Sequence, residues 1–390
     1  MEKTIKTIGY VSSADPFHDR RAWSGTIYKL REAIENAGYK VIWVPFRKDT
    51  FSQKVLAILF KVLNKVSSKK WLGGMQFIPM VKLAGRTIDK SKIDECDILF
   101  FPEDGQIILW TGIRKPYIYH SDATAHLMVG YYWHDINPKS VRQAELLEEG
   151  ASQHAKINLR SSKWAIDSVV KDCHVDQDEC YVLEFGPNLD KNDVIPCDPY
   201  SVGQLRILFS GVDWKRKGGA IAVETVKELR KRGIDAHLTI AGIRKDKLPS
   251  DVANLDYVSC VGFLNKNKPE EYRKYVELFH NSHILILPTQ AECSAIVYSE
   301  AANFGVPCYT HLTGGTTNYV IDGFNGRTLS LGVTGKDFAN SIEQDLRDGL
   351  LPKMHDNALR LAKEKLSWDA WSKHFHEIVE KNTKRLIDIE

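Results

Sequence analysis

Short apolar runs alternate with longer amphipathic stretches along almost the whole chain. Residues 5–11 form an apolar run, Ile27, Leu30, Ala33 and Ile34 recur at helical spacing within 27–37, and Gly38 ends that helix before a second run at 40–44. Further runs at 97–101, 117–119, 156–159 and 180–184 read as strands. Residues 186–204, rich in proline, glycine and aspartate, then read as a linker. Beyond it a similar series resumes, with strands at 205–210, 236–241, 256–261 and 283–287 and helices such as 218–232 between them. Runs apolar on both faces, separated by helical patterns, predict parallel sheets covered by helices on each side. The chain therefore reads as α/β with two domains, 1–190 and 203–365. Residues 355–365 and 368–386 read as closing helices. The second is amphipathic through Trp371, Phe375, Ile378 and Val379, and needs a surface to cover.

Composition narrows the function without naming it. A chain of 390 residues that is 43% hydrophobic and 26% charged has ample material for two cores and is neither disordered nor collagen-like. The net charge of +3 provides no whole-chain field for nucleic acid, so anion binding must come from local clusters. Seven cysteines without a CxxC pair form neither a disulfide framework nor a zinc pattern, which fits a reducing cytoplasm. Cys173, His174 and Cys180, and His374 with His376, lack ligand spacing, so no metal site is expected. No run of about 18 apolar residues is present and the N-terminus does not read as a secretory leader, so a cytoplasmic protein that does not span the membrane is expected.

The segment 283–315 carries the most chemistry. A buried strand runs to Pro288, a short loop holds Glu292, a helix holds Glu300, and Gly305-Val306-Pro307 returns the chain to the sheet. In open α/β sheets ligands bind outside the carboxyl ends of the strands, where Glu292 must lie. A helix beginning near Ala295 or Ile296 would aim unpaired N–H groups at the same crevice and favour a phosphate there. A carboxylate is also a good acceptor for the vicinal hydroxyls of a ribose or sugar. On spacing alone a plain helix-stabilising role for these glutamates is equally open.

Three further groups lie at predicted strand ends. Lys215, Arg216 and Lys217 precede Gly218-Gly219 at a helix entrance and suit a diphosphate, although the Walker order is absent and a solvated basic turn is the alternative. Gly25, in the loop Trp23-Ser24-Gly25-Thr26, permits close backbone approach to a ligand. His120 and Asp122 follow a strand and could orient an acceptor hydroxyl or take its proton, with a helix cap by Asp122 as the alternative. Separately, residues 51–71 contain no acid. Lys54, Lys61, Lys65 and Lys69 fall in one row while Val55, Ile58, Leu59, Val62, Leu63 and Val66 occupy the rest. That pattern fits a basic helix on an anionic bilayer, or equally a helix packed on its own sheet with solvated lysines.

Taken together, these residues resemble the family 4 retaining glycosyltransferases, the group 1 glycosyl transferases. The resemblance rests on Glu292 and Glu300 with Ala301, Gly305-Val306-Pro307, Thr313-Gly314-Gly315, Asp322-Gly323 with Asn325-Gly326, and Gly211 followed by Lys217-Gly218. It implies a GT-B fold, two Rossmann-like domains facing across a cleft, with 366–390 as a helix crossing back to the N-terminal domain. It also implies an enzyme moving a hexose from a nucleotide-sugar to a glycan or lipid-linked acceptor with retention, in surface polysaccharide or glycoconjugate synthesis. UDP-glucose or a related UDP-hexose is favoured over GDP-mannose.

By the same resemblance Glu292 contacts the donor sugar and Glu300 the ribose. Lys217, with the amides of Ser294, Ala295, Ile296 and Val297, holds the diphosphate. Phe263 and Leu264 meet the base through their backbone, Gly25 belongs to the N-terminal glycine loop, and no divalent cofactor is required. The sequence departs from the family at Val212, where an arginine whose charge Arg216 could supply is usual, and at Cys293-Ser294-Ala295, where Gly-Phe-Gly is usual. The N-terminal histidine of the family corresponds to His120 or is replaced by Asp122. A GT-B epimerase or phosphorylase lacks support in these motifs. A non-catalytic sugar-nucleotide-binding subunit of a membrane glycosylation complex remains as the reading from another class.

Overall fold

The computed structural model describes residues 4–387. The ends of the expected first domain and last helix, 1–3 and 388–390, lie outside the described residues. Two compact units result, one running to Leu183 and resuming at Trp371, the other spanning Glu184–Ala370.

The first unit is a six-stranded parallel sheet of β1 (Thr7–Ser12), β2 (Lys40–Pro45), β3 (Ile98–Pro102), β4 (Tyr117–Ser121), β5 (Ile157–Arg160) and β6 (Cys180–Val182). Its strand order is β2-β1-β3-β4-β5-β6. Every residue of β3, β4 and β5 is buried, the physical origin of their nearly unbroken apolar runs. The order changes direction between β1 and β3, which opens a crevice beyond their carboxyl ends.

The apolar face of the closing helix, Trp368–Lys381, finds its surface in this unit from Trp371 onward. Trp371 and Phe375 stack at 4.8 Å, and Phe375 meets Phe100 edge-on at 5.8 Å. Ser372 Oγ donates to the Ala33 carbonyl at 2.8 Å. The expected single helix over 368–386 is two, the second being Thr383–Ile387, where Arg385 pairs with Asp178 at 2.6 Å.

Helix Phe51–Val66 does not bury its apolar side on the sheet. Only Gln53 is fully buried, through a capping box with Thr50 and a hydrogen bond to the Arg47 carbonyl at 3.0 Å. Phe60 packs on Phe77 at 5.2 Å, and the other large apolar side chains of the helix, Leu56 apart, face solvent. Among the described residues no helix is long and apolar enough to cross a membrane.

The second unit repeats the architecture with β7 (Leu205–Ser210), β8 (Ala236–Ala241), β9 (Val258–Gly262), β10 (Ile284–Leu287), β11 (Cys308–His311) and β12 (Gly326–Leu329). The order β12-β11-β10-β7-β8-β9 is that of a doubly wound dinucleotide-binding sheet, with its switch point between β7 and β10. β12 has no apolar run to announce it, because in this edge strand only Gly326 is buried. The expected linker is a packed strap of this unit. Leu189 and Cys197 enter its core, the Cys197 amide donates to the Phe304 carbonyl at 2.9 Å, and the Phe185 amide donates to Tyr319 Oη at 3.2 Å. Its prolines shape a surface path; they do not mark a tether.

Candidate active site

The switch point of the second unit brings together the loops after β7 and β10. The Gln290 amide donates to the Arg216 carbonyl at 2.7 Å, and Thr289 Oγ1 donates to the same oxygen at 3.3 Å. Gly218 makes this approach possible. It has φ +76°, and a Cβ there would stand 2.1 Å from the Pro288 carbonyl oxygen. Across the stitch Lys217 Nζ donates to Glu292 Oε2, with both side chains buried. Arg216 Nη1 lies 3.6 Å from the same oxygen and donates to the Ala291 carbonyl at 3.0 Å. The loop after β11 closes the third side, where the Gly315 amide donates to the Glu292 carbonyl at 3.1 Å. Glu292, Lys217 and Arg216 therefore share one site, while Val212 is solvent-exposed.

Helix Ile296–Asn303 starts directly beyond this loop. Ala295 is its N-cap in an extended conformation, and no side chain caps the first turn. The amides of Ile296 and Val297 have no intrahelical acceptor by construction, which favours an anion at this end. Ser294 is half-buried and Ala295 buried in the approach to the helix.

Glu300 lies in the same helix and is 1% exposed. Its two oxygens are held separately, Oε1 by Lys266 Nζ at 2.5 Å and Oε2 by Tyr275 Oη at 2.6 Å. Burial, then the Glu300 charge, push the Tyr275 hydroxyl well above its ordinary range, so it stays a donor at all physiological pH. Both partners escaped the sequence reading. Lys266 follows β9 and was within reach of the strand-end rule. Tyr275 sits inside helix Pro269–His280 with no local signal. Phe263 is exposed after Gly262, whereas Leu264 lines a separate groove of about 540 Å³ with Arg206, His237 and Lys274.

In the first unit Gly25 has φ +97° and caps helix Thr26–Asn36, preceded by Trp23 and Ser24, both also at positive φ. The left-handed conformation is costly at Trp23 and Ser24 but not at Gly25, and the three together turn the helix entrance sharply after the β1 loop. His120 departs from expectation. Its imidazole is fully buried, with ring centroids 6.0 Å from both Phe100 and Trp371. Burial and then the Arg160 charge lower its pKa to about 3, so it is neutral. His120 lies inside β4, which is buried along its whole length, and Phe100 and Trp371 pack against the imidazole. Asp122 is not a helix cap. Thr124 caps the short helix that follows, accepting from the Leu127 amide at 3.4 Å.

Another acid, Glu103, missed in the sequence, feels the charge of Asp122. Glu103 and Asp104 follow β3 directly, both at positive φ, and Lys48 pairs with Asp104 at 2.5 Å. Burial, then the charges of Asp104 and Asp122, raise Glu103 to about 8. A carboxyl raised in the folded state stabilises the fold fully below the unfolded value of 4.5, and that contribution is lost as pH climbs toward about 8. Glu103→Gln is therefore expected to raise the thermal midpoint over wild type progressively from pH 5 to pH 8. Parallel melting curves would check it, and a constant difference would refute the assignment.

These features define a class, a GT-B glycosyltransferase fold with a cationic, carboxylate-bearing site at the switch point of its second sheet. Solved structures share the fold over nearly the whole chain. A glycosyltransferase from Rickettsia africae aligns with TM-score 0.65 and 14% identity over 98% of this chain and 100% of that one. Sucrose-phosphate synthase from Thermosynechococcus elongatus aligns with TM-score 0.67 and 14% identity over 97% and 99%. HepE of Anabaena, solved with UDP-glucose, aligns with TM-score 0.61 and 15% identity over 97% and 99%. Residues 200–385 match the family model of group 1 glycosyl transferases. D-inositol 3-phosphate glycosyltransferase of Arthrobacter sp. (strain FB24) is 25% identical over 146 residues, 36% of this chain. The match spans 34% of that relative's length.

Proposed function

We propose that this protein is a retaining glycosyltransferase that takes a hexose from a UDP-sugar, UDP-glucose first among them, and passes it to a glycan or lipid-linked acceptor in surface polysaccharide or glycoconjugate synthesis. The observation that carries this reading is the convergence of Lys217 and Arg216 on Glu292, one loop before an uncapped helix N-terminus. A diphosphate is a strong partner for both cations and for the helix end. Its arrival would draw Lys217 away from Glu292 and turn that carboxylate to the sugar hydroxyls. As the sugar–phosphate bond breaks, charge develops on the diphosphate, where preorganised cations lower the barrier most. These cations meet the diphosphate charge without a divalent ion, so transfer is expected to persist in a chelator. Glu300 supplies two acceptor oxygens for the ribose in exchange for Lys266. HepE, which shares the fold, is known with UDP-glucose, and that chemistry suits these groups. In the first unit Asp122, whose charge acts on Glu103, would orient the acceptor hydroxyl. A cytoplasmic location fits a donor of this kind.

Thermal shift tests the donor half directly. UDP and UDP-glucose are expected to raise the melting midpoint, GDP and ADP to leave it unchanged, and Glu300→Ala to remove the UDP effect. A shift with GDP alone would replace UDP-hexose by GDP-mannose, and no shift with any nucleotide would overturn the donor site.

A further inference from the structure

We propose that helix Phe51–Val66 is a docking surface for an anionic lipid bilayer. Phe51, Val55, Ile58, Leu59, Val62 and Val66 all stand exposed, Phe51 at 83%, Ile58 at 62% and Val66 at 78%. At 3.6 residues per turn these six fall in one arc of about 100°. Gln53, Leu56, Ala57, Phe60 and Asn64 occupy the opposite side and carry the attachment to the protein, with Phe60 on Phe77 and Asn64 bonded to the Trp71 backbone. An amphipathic helix of a soluble domain ordinarily turns these faces the other way. Here the folded contacts use the polar and aromatic side, and the continuous apolar stripe is presented outward.

The border of that stripe decides the occupant. Lys54, Lys61 and Lys65 lie along one edge of the arc, Lys69 and Lys70 follow the helix, and no acid occurs in 51–71. An apolar stripe flanked by cations is complementary to acyl chains beneath anionic headgroups, with the lysine ammoniums reaching up to the phosphates. A second copy of the helix would bring one unneutralised lysine row against another. Sixteen residues span about 24 Å as a helix, and with lysines along one edge the helix lies in the interface plane and does not cross it. Docking does not depend on the donor chemistry; the lipid-linked form of the acceptor in the reading above would follow from it.

Flotation of the full chain with vesicles tests the assignment, without nucleotide present. Partition onto phosphatidylcholine vesicles containing about one-third phosphatidylglycerol is expected to exceed that onto pure phosphatidylcholine by about tenfold or more, and to weaken with salt. Ile58→Glu with Leu59→Glu should abolish it. Lys54→Glu, Lys61→Glu and Lys65→Glu together should remove the preference for anionic lipid. All of these side chains are exposed, so melting midpoints and the UDP shift should stay at wild-type values, which separates failure here from failure of the donor site. Three results would overturn the proposal: no partition by the wild type, partition unaltered by the double variant, or a dimer that the double variant dissolves while neither form floats.

Discussion

Lys217→Ala is expected to lower transfer, or slow hydrolysis of UDP-glucose in the absence of an acceptor, by about 10²–10³-fold in kcat. The ammonium is buried against Glu292 at the switch point, where a fixed charge acts through less water than at the surface. Arg216 lies 3.6 Å from Glu292, so the carboxylate is not left without a cation in the variant and the fold should survive. Lys217→Arg should recover only part of the rate, since a planar guanidinium cannot reproduce a compact ammonium in a site this close. Steady-state kinetics beside a melting curve would decide the matter. Wild-type turnover in a folded Lys217→Ala protein would remove Lys217 from the reaction.

The second large effect concerns backbone. Gly218→Ala places a Cβ 2.1 Å from the Pro288 carbonyl oxygen in a residue at φ +76°, and this should cost about 2–4 kcal/mol of stability through strain and overpacking combined. Gly233 provides the control. It has φ +84° with nothing within 4 Å of a built Cβ, so Gly233→Ala should cost only about 1 kcal/mol. Denaturant unfolding of the two variants isolates the steric part. The same displacement moves Lys217 and should erase the UDP shift in Gly218→Ala alone. Equal losses in both variants would mean that the β7 and β10 loops do not approach as closely as their hydrogen bonds to Arg216 indicate.

Much of the second unit's site could be read from order along the chain. Glu292, Lys217 and Gly218 sit where apolar runs end, and ligand groups in parallel sheets gather at such ends. Lys266 and Glu103 obey the same rule and were passed over because neither belongs to a recognised spacing. Tyr275 obeys no local rule. It meets Glu300 only because helix Pro269–His280 packs beside the carboxyl end of the sheet.

His120 shows the opposite failure. It was expected after a strand, but it lies inside β4, and Trp371 covers it from more than 200 residues away in sequence. The expected linker at 186–204 misled for a related reason. Proline and glycine report a chain that turns, and they are silent on whether a turning chain also buries Leu189 and Cys197.

Alternating apolar runs and helical periods were enough to determine two parallel α/β sheets, because those patterns record which faces must leave water. The charge and apolar content of helix Phe51–Val66 were equally plain along the chain. Which side of it meets protein and which meets solvent was decided by tertiary packing alone, since a helical row of lysines is compatible with either orientation. The same holds for the two partners of Glu300 and the close approach at Gly218: they are contacts between segments far apart in sequence, set by how the strands are ordered in the sheet.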